Sequence, residues 1–158
     1  MLPLLAAVAK RAAVDPRCAM RLDLIPYRPG IGGYLAQFYP GPHYSARPWS
    51  EQSVYMDGDA FEALHYIVDR FHLYGPVTLS GARLDRFIGE LEAAAERIAL
   101  TDSPKDIWPF TSSFGYTQFN SVKDWQLGRR EFSTTLRELA AWMRGVKAQK
   151  QPVTILGL

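Results

Sequence analysis

The hydrophobic and polar positions of the chain follow two periods, one typical of strands and one typical of helices. Residues 21–26 alternate polar and apolar side chains, and residues 34–39 form a second strand-like run that is rich in aromatics. Because a Pro- and Gly-rich turn over residues 29–33 lies between them, the two runs predict a β-hairpin. Residues 53–56 are a third predicted strand.

Three longer stretches carry apolar residues at helical spacing. The first predicted helix begins at residues 57–59, with Asp59 as the expected N-cap, and ends near Gly75. Ser80 is the expected N-cap of the second helix, and the third helix follows a long connection over residues 101–130. The stripes expected to face the core are Phe61, Leu64, Ile67, Val68 and Phe71 in the first helix, Leu84, Phe87, Ile88, Leu91 and Ile98 in the second, and Phe132, Leu136, Leu139, Ala140, Met143 and Val146 in the third.

Two near-copies of one short motif, GPVTLSG and QPVTILG, each follow a predicted helix. In both, a proline stops the helix, and Val-Thr with aliphatic neighbours begins a strand that has no polar alternation. Such a composition is typical of strands buried on both faces. Residues 77–79 and 153–156 are therefore predicted to be interior strands. The helices before the two motifs do not match in phase, so the likeness reflects similar local physics and not a repeat.

These elements predict the α+β class. We expect one globular domain over residues 20–158, with three amphipathic helices packed on a small mixed β-sheet that includes the buried C-terminal strand. A chain of 158 residues suits a single core. Two interpretations of residues 1–19 stay open: a disordered tail, or a mis-assigned extension with Met20 as the true start.

Composition and charge exclude several classes of function. Residues 1–50 carry six Lys or Arg against two Asp or Glu, but the basic residues form no run longer than a pair, so nucleic acid is not an expected partner. Cys18 is the only cysteine, which excludes an intrachain disulfide and fits the reducing cytoplasm. The apolar N-terminal patch is interrupted by Lys10 and Arg11 and is too short to span a membrane, so no membrane association is expected.

The nearest approach to a metal motif is His65, Asp69 and His72, whose spacings place them on one face of the first predicted helix. Two histidines and a carboxylate can bind a first-row metal. A small metal-dependent enzyme that uses this face is the alternative function. A solvated helix flank is the simpler account of the three residues, so no metal or other cofactor is expected. The sequence shows no signature of a catalytic nucleophile.

Aromatic residues make up 13% of the chain, and many fall in two loop-like regions, residues 39–55 and 108–125. Aromatic and arginine side chains are the usual anchors of protein interfaces. Prolines in the first region lower the entropy cost of fixing its backbone. About half of these rings are expected to pack on the sheet instead. The predicted partner-contact residues are Tyr44, Arg47, Trp49, Trp108 and Phe114.

Two stretches within residues 53–158, VTLSGARLDRFIGELE and LRELAAWMRGVKAQKQPVTILGL, join a strand to a helix and a Leu/Trp helix to a terminal strand. Through them the chain resembles small bacterial immunity proteins of polymorphic and contact-dependent toxin systems. The resemblance implies a cytoplasmic, non-enzymatic protein that binds and neutralises a cognate protein toxin, and it implies no catalytic residues. Immunity proteins against nucleases are usually acidic, whereas this chain carries a formal charge of +2, so a nuclease partner is not favoured.

Overall fold

A computed structural model describes residues 22–65, 67–68, 75–107 and 122–157, and these ranges contain five strands and three helices. The expected α+β class, with three helices and one sheet in a single domain, is confirmed. Residues 1–19 lie outside the described ranges. The strands are β1 (Ile25–Pro26), β2 (Leu35–Pro40), β3 (Val54–Asp57), β4 (Pro76–Leu79) and β5 (Val153–Leu156), and the helices are α1 (Gly58–His65), α2 (Gly81–Leu100) and α3 (Val122–Ala148).

The strands form one sheet in the order β1-β3-β2-β5-β4, and every neighbouring pair is antiparallel. The expectation of a mixed sheet is therefore wrong. The connection between β4 and β5 explains the difference. It contains two antiparallel helices, α2 and α3, so the chain crosses the sheet twice and re-enters in the direction opposite to β4. A single crossover helix would have made the pair parallel.

The predicted hairpin between residues 21–26 and 34–39 is also wrong. β1 and β2 both pair with β3 and lie on opposite sides of it, with Ile25 and Gln37 opposite the same residue, Tyr55. The Gly-rich turn thus carries the chain past β3 instead of closing a hairpin. Three successive residues of β3 are buried, and a position between two strands covers them better than a position at an edge would.

Helix α1 is shorter than the apolar pattern predicts. It ends at His65, and the next described residues, Ile67 and Val68, form a turn in which both backbone N–H groups donate to the carbonyl oxygen of Leu64. The two adjacent β-branched residues lower the local helix propensity. The last member of the predicted stripe, Phe71, lies outside the described residues.

The starts of the helices also differ in detail from the sequence-based expectation. Asp57, not Asp59, supplies the cap of α1, since its Oδ1 accepts the Asp59 N–H at 3.0 Å. Ser80 occupies the N-cap position of α2, but its side chain makes no capping bond. Helix α3 begins at Val122, well inside the predicted connection, so Trp125 lies in the helix and is buried.

All three helices pack on one face of the sheet. Phe38 of β2 meets Phe61 of α1 edge to face, with ring centroids 6.1 Å apart. The predicted stripes of α2 and α3 are entirely buried, as expected. Ion pairs between Asp85 and Lys147 and between Glu92 and Arg144 bridge the exposed sides of these two helices. No helix in the described ranges is both long and apolar enough to cross a membrane.

The two similar strand motifs have different positions in the sheet. β5 lies between β2 and β4 with Val153, Thr154 and Ile155 fully buried, which confirms the predicted interior strand. β4 is an outer strand of the described sheet, so its predicted interior position is wrong. The exposed Pro76 at its start is tolerated there because an edge position requires fewer ladder hydrogen bonds.

Deletion of residues 152–158 should unfold the protein. It removes two buried aliphatic side chains, and truncation of each typically costs ~2–5 kcal/mol. It also removes both ladders that join β4 to β2. Together these losses approach the whole stability of a domain, ~5–15 kcal/mol. Circular dichroism should show no cooperative melting transition. Deletion of residues 157–158 alone is the control, since it leaves β5 intact; a wild-type transition in the longer truncation would contradict the prediction.

Candidate functional site

The sheet face opposite the helices carries buried polar side chains where the β2–β3 loop, residues 41–53, covers it. Strand alternation places Gln37, Tyr55 and Thr154 on this face, and Gln37 lies directly opposite Tyr55. Their exposed fractions are 6%, 0% and 0%. Burial of polar side chains is costly unless they are hydrogen-bonded. The partners of all three lie in the loop or on the adjacent strand.

Gln37 makes three hydrogen bonds beneath the middle and end of the loop. Its Nε2 donates to the carbonyl oxygen of Arg47 at 2.9 Å and to Oγ of Ser53 at 2.8 Å. Its Oε1 accepts from the backbone N–H of Trp49 at 3.3 Å. The buried amide therefore uses both of its N–H groups and its carbonyl oxygen within the protein.

Tyr55 supports the loop from the neighbouring strand. Its hydroxyl donates to the carbonyl oxygen of Ser50 at 2.9 Å. Its ring stacks on the ring of Trp49, with centroids 5.7 Å apart and planes 25° apart. The ring and the hydroxyl thus fix two neighbouring parts of the loop on the same strand.

Thr154 holds the start of the loop. Its Oγ1 donates to the carbonyl oxygen of Gly41 at 2.7 Å and lies 3.1 Å from Oγ1 of Thr78. A hydroxyl has one hydrogen, so Thr78 is the donor in the second bond. Gly41 is required by close approach, because a Cβ there would lie 2.7 Å from the ring of Tyr39. Strands β2, β3 and β5 therefore fix the loop at its start, at Gly41, and from Arg47 to Ser53.

The outer surface of the loop presents three of the five predicted contact residues. The exposed fraction is 91% for Tyr44 and 41% for Trp49, and Arg47 is also exposed. The other two predicted residues, Trp108 and Phe114, lie outside the described residues. The loop also exposes Glu51, so its exposed surface carries charges of both signs.

Trp49 adopts an unfavourable backbone conformation. Its φ of 58° lies in the left-handed region, where a side chain with a Cβ crowds the following carbonyl group. The bond from its N–H to Gln37 and the stack on Tyr55 hold it there. A bulky aromatic in this region is uncommon, and such strain often occurs at functional sites.

Replacement of Trp49 by glycine should leave a more stable protein than replacement by alanine, by about 1 kcal/mol in the free energy of unfolding. Both variants lose the stacked ring, but only glycine relieves the strain at φ 58°. Urea denaturation measures the difference. Tyr44 is the control, since its φ is not positive and alanine should be the less harmful substitution there. Equal or greater stability of the Trp49→Ala variant would show that the backbone is not strained.

Burial raises the pKa of Tyr55 to about 12, with a smaller contribution from the nearby Tyr27 and an opposing one from Ser53. The hydroxyl must lose its proton to become a charged group beneath the loop, and burial disfavours that charge. Since the folded-state pKa lies above the ordinary value near 10, Tyr55 contributes stability that is complete below pH 10 and is lost as the pH rises toward 12.

We expect the Tyr55 hydroxyl to ionise near pH 12 in a spectrophotometric titration of the folded protein. The Tyr55→Phe variant should lose the last step of the tyrosinate absorbance, near that pH. The free energy of unfolding should fall between pH 10 and 12 in the wild type and more weakly in Tyr55→Phe. Loss of an early step in Tyr55→Phe would contradict the burial of the hydroxyl.

The alternative metal site cannot be assembled from the described residues. His65 ends α1, and Asp69 and His72 lie outside the described ranges. Among the residues that the structure does describe, no group of three or more His, Cys, Asp or Glu side chains is placed to hold a metal ion. The three-residue motif stays a hypothesis.

Two further concavities lie away from the loop. One, of about 420 Å³, is lined by the Gly-rich turn with Arg28, Asp57 and Asp59. Burial and the neighbouring carboxylates of Asp57 and Glu62 raise the pKa of Asp59. The other, of about 370 Å³, lies between the start of α2 and the end of α3 and includes Lys147.

Comparison of the chain with protein-family models, with curated proteins and with solved structures finds no significant match in any of the three. The sequence-based reasoning identified the exposed side of the loop but missed its buried supports, Gln37, Tyr55 and Thr154. A polar residue amid the apolar run LAQFY was the available signal for Gln37.

Proposed function

We propose that the protein is a non-enzymatic immunity protein that binds a cognate bacterial toxin in the cytoplasm and neutralises it by protein–protein contact. The observation that carries the proposal is the β2–β3 loop. Buried side chains fix it from beneath, and its outer surface exposes Tyr44, Arg47 and Trp49. Tyrosine, arginine and tryptophan are the residue types most enriched at interface positions that dominate binding energy.

The fixed backbone favours binding by this surface. Ordering a mobile loop and its side chains on association opposes binding, at about 0.5–1.5 kcal/mol for each immobilised side chain. Here hydrogen bonds from three strands have already ordered the backbone, so a smaller part of the contact energy is lost on association. The side chain of Tyr44 is almost fully exposed and does not contribute to the core, so the fold itself does not require it.

The polar side chains beneath the loop are all hydrogen-bonded within the protein, which favours a binding role over a catalytic one. The Gln37 amide and the hydroxyls of Tyr55 and Thr154 are all engaged with the protein itself. The resemblance of residues 53–158 to bacterial immunity proteins supports the same conclusion.

Alanine variants of Tyr44, Arg47 and Trp49 should each bind the toxin roughly thirty-fold more weakly, which corresponds to ~2 kcal/mol for an interface anchor. The candidate partner is the protein encoded immediately upstream, used as an inactive variant. Calorimetry measures the affinity at a temperature at which every variant is folded. Leu100→Ala is the matched control, because Leu100 is 75% exposed at the end of α2. Trp108→Ala and Phe114→Ala test the remaining predicted contacts.

Two results would contradict the proposal. If the three loop variants bind as tightly as the wild type, the interface lies elsewhere. If the purified protein carries stoichiometric metal that is lost in a His65→Ala/His72→Ala double variant, the metal-dependent enzyme is favoured instead. Protection of cells against the upstream protein, abolished by the loop variants, would support neutralisation as well as binding.

A further inference from the structure

We infer that Gln37 is a positioning residue for partner binding, which holds Arg47 and Trp49 in the geometry that the partner recognises. The inference rests on the proposed function and deepens it. Gln37 itself is 6% exposed, so it acts through the two loop residues and not by contact with the partner.

The bonds of Gln37 enclose a short segment of the loop. Its Nε2 binds the carbonyl group of Arg47 and its Oε1 binds the N–H of Trp49, with Pro48 between them. Proline has a fixed φ and no N–H of its own. One buried side chain therefore binds the carbonyl group before the proline and the N–H group after it. These two bonds fix Arg47 and Trp49 relative to the sheet.

The backbone of Trp49 gives this restraint a specific consequence. If Trp49 were released from φ 58°, a change to negative φ would lower its free energy, because the left-handed conformation costs an L-residue about 1–2 kcal/mol. Such a movement would turn the ring away from its stack on Tyr55. The Gln37–Trp49 bond opposes the movement at the residue where the strain lies.

The identity of the buried residue also points to positioning. An apolar side chain would bury at this strand position without the desolvation cost of an amide. Three hydrogen bonds offset that cost, but the net contribution of each bond to stability is small, about 0.5–1.5 kcal/mol. The larger effect of the amide is to select one geometry for the loop.

The first arm of the test needs no partner. Gln37→Leu keeps a side chain of similar size and removes the amide. Gln52→Leu is the matched control, since Gln52 is an exposed glutamine in the same loop. Amide hydrogen exchange by NMR should show the Trp49 N–H exchanging at least about tenfold faster in Gln37→Leu and at the wild-type rate in the control. Wild-type exchange of this amide in Gln37→Leu would overturn the inference.

The second arm measures affinity for the upstream protein in a double-mutant cycle. Gln37→Leu should weaken binding about tenfold or more, and the same change should have little effect in an Arg47→Ala/Trp49→Ala background. A role confined to fold stability would leave the affinity of the folded variant unchanged. Binding within about twofold of the wild type, or losses that simply add in the cycle, would overturn the positioning role.

The two arms separate failure of the inference from failure of the proposed function. If the wild type binds no upstream protein, the proposed function fails and the recognition role fails with it. If the wild type binds but Gln37→Leu binds equally well despite faster exchange at Trp49, the proposed function stands and only the positioning role is overturned.

Discussion

The insertion of β5 between β2 and β4 is the constraint on which the rest of the structure depends. Ile155 lies opposite Phe38 on one side and Val77 on the other, so the last strand of the chain joins both parts of the described sheet. The side chains of this strand make contacts on both faces of the sheet. Val153 and Ile155 belong to the core beneath the helices, and Thr154 binds the β2–β3 loop. The position of the start of the loop therefore depends on the C-terminal strand.

The two faces of the sheet are held by different physical interactions. The helix face is an apolar core, where side chains of similar volume can often replace one another at modest cost. The loop face is held by directional hydrogen bonds from Gln37, Tyr55 and Thr154, each with a defined partner. Directional bonds restrict geometry more than apolar packing does. The proposed recognition surface lies on the side of the sheet where these directional bonds fix the loop.

The features that could be predicted from the sequence are those set by local periodicity. The stripes of α2 and α3, the interior strand β5 and the α+β class follow from the spacing of apolar residues, and the structure confirms them. Strand pairing is non-local, so the sequence did not reveal that β1 and β2 both pair with β3. The direction of β4 relative to β5 depends on how the helix pair packs, which the strand motifs do not encode.

The candidate site, too, could be predicted from the sequence only in part. Tyr44, Arg47 and Trp49 could be proposed from residue type and proline content, because exposed anchors have a characteristic composition. Their supports could not be found in this way. Gln37 binds backbone atoms of Arg47 and Trp49, and every residue has such atoms, so the pairing leaves no mark in the sequence beyond a polar residue in an apolar strand.

Trp49 combines a strained backbone with a partly exposed aromatic ring. Its φ of 58° lies in the left-handed region, which costs an L-residue about 1–2 kcal/mol, and the residue is 41% exposed to solvent. Glycine would remove the strain, but it would also remove the stack on Tyr55. A rigid, exposed aromatic side chain lowers the entropy cost of association with a partner. The proposed binding role therefore gives the strained backbone and the exposed ring one common explanation.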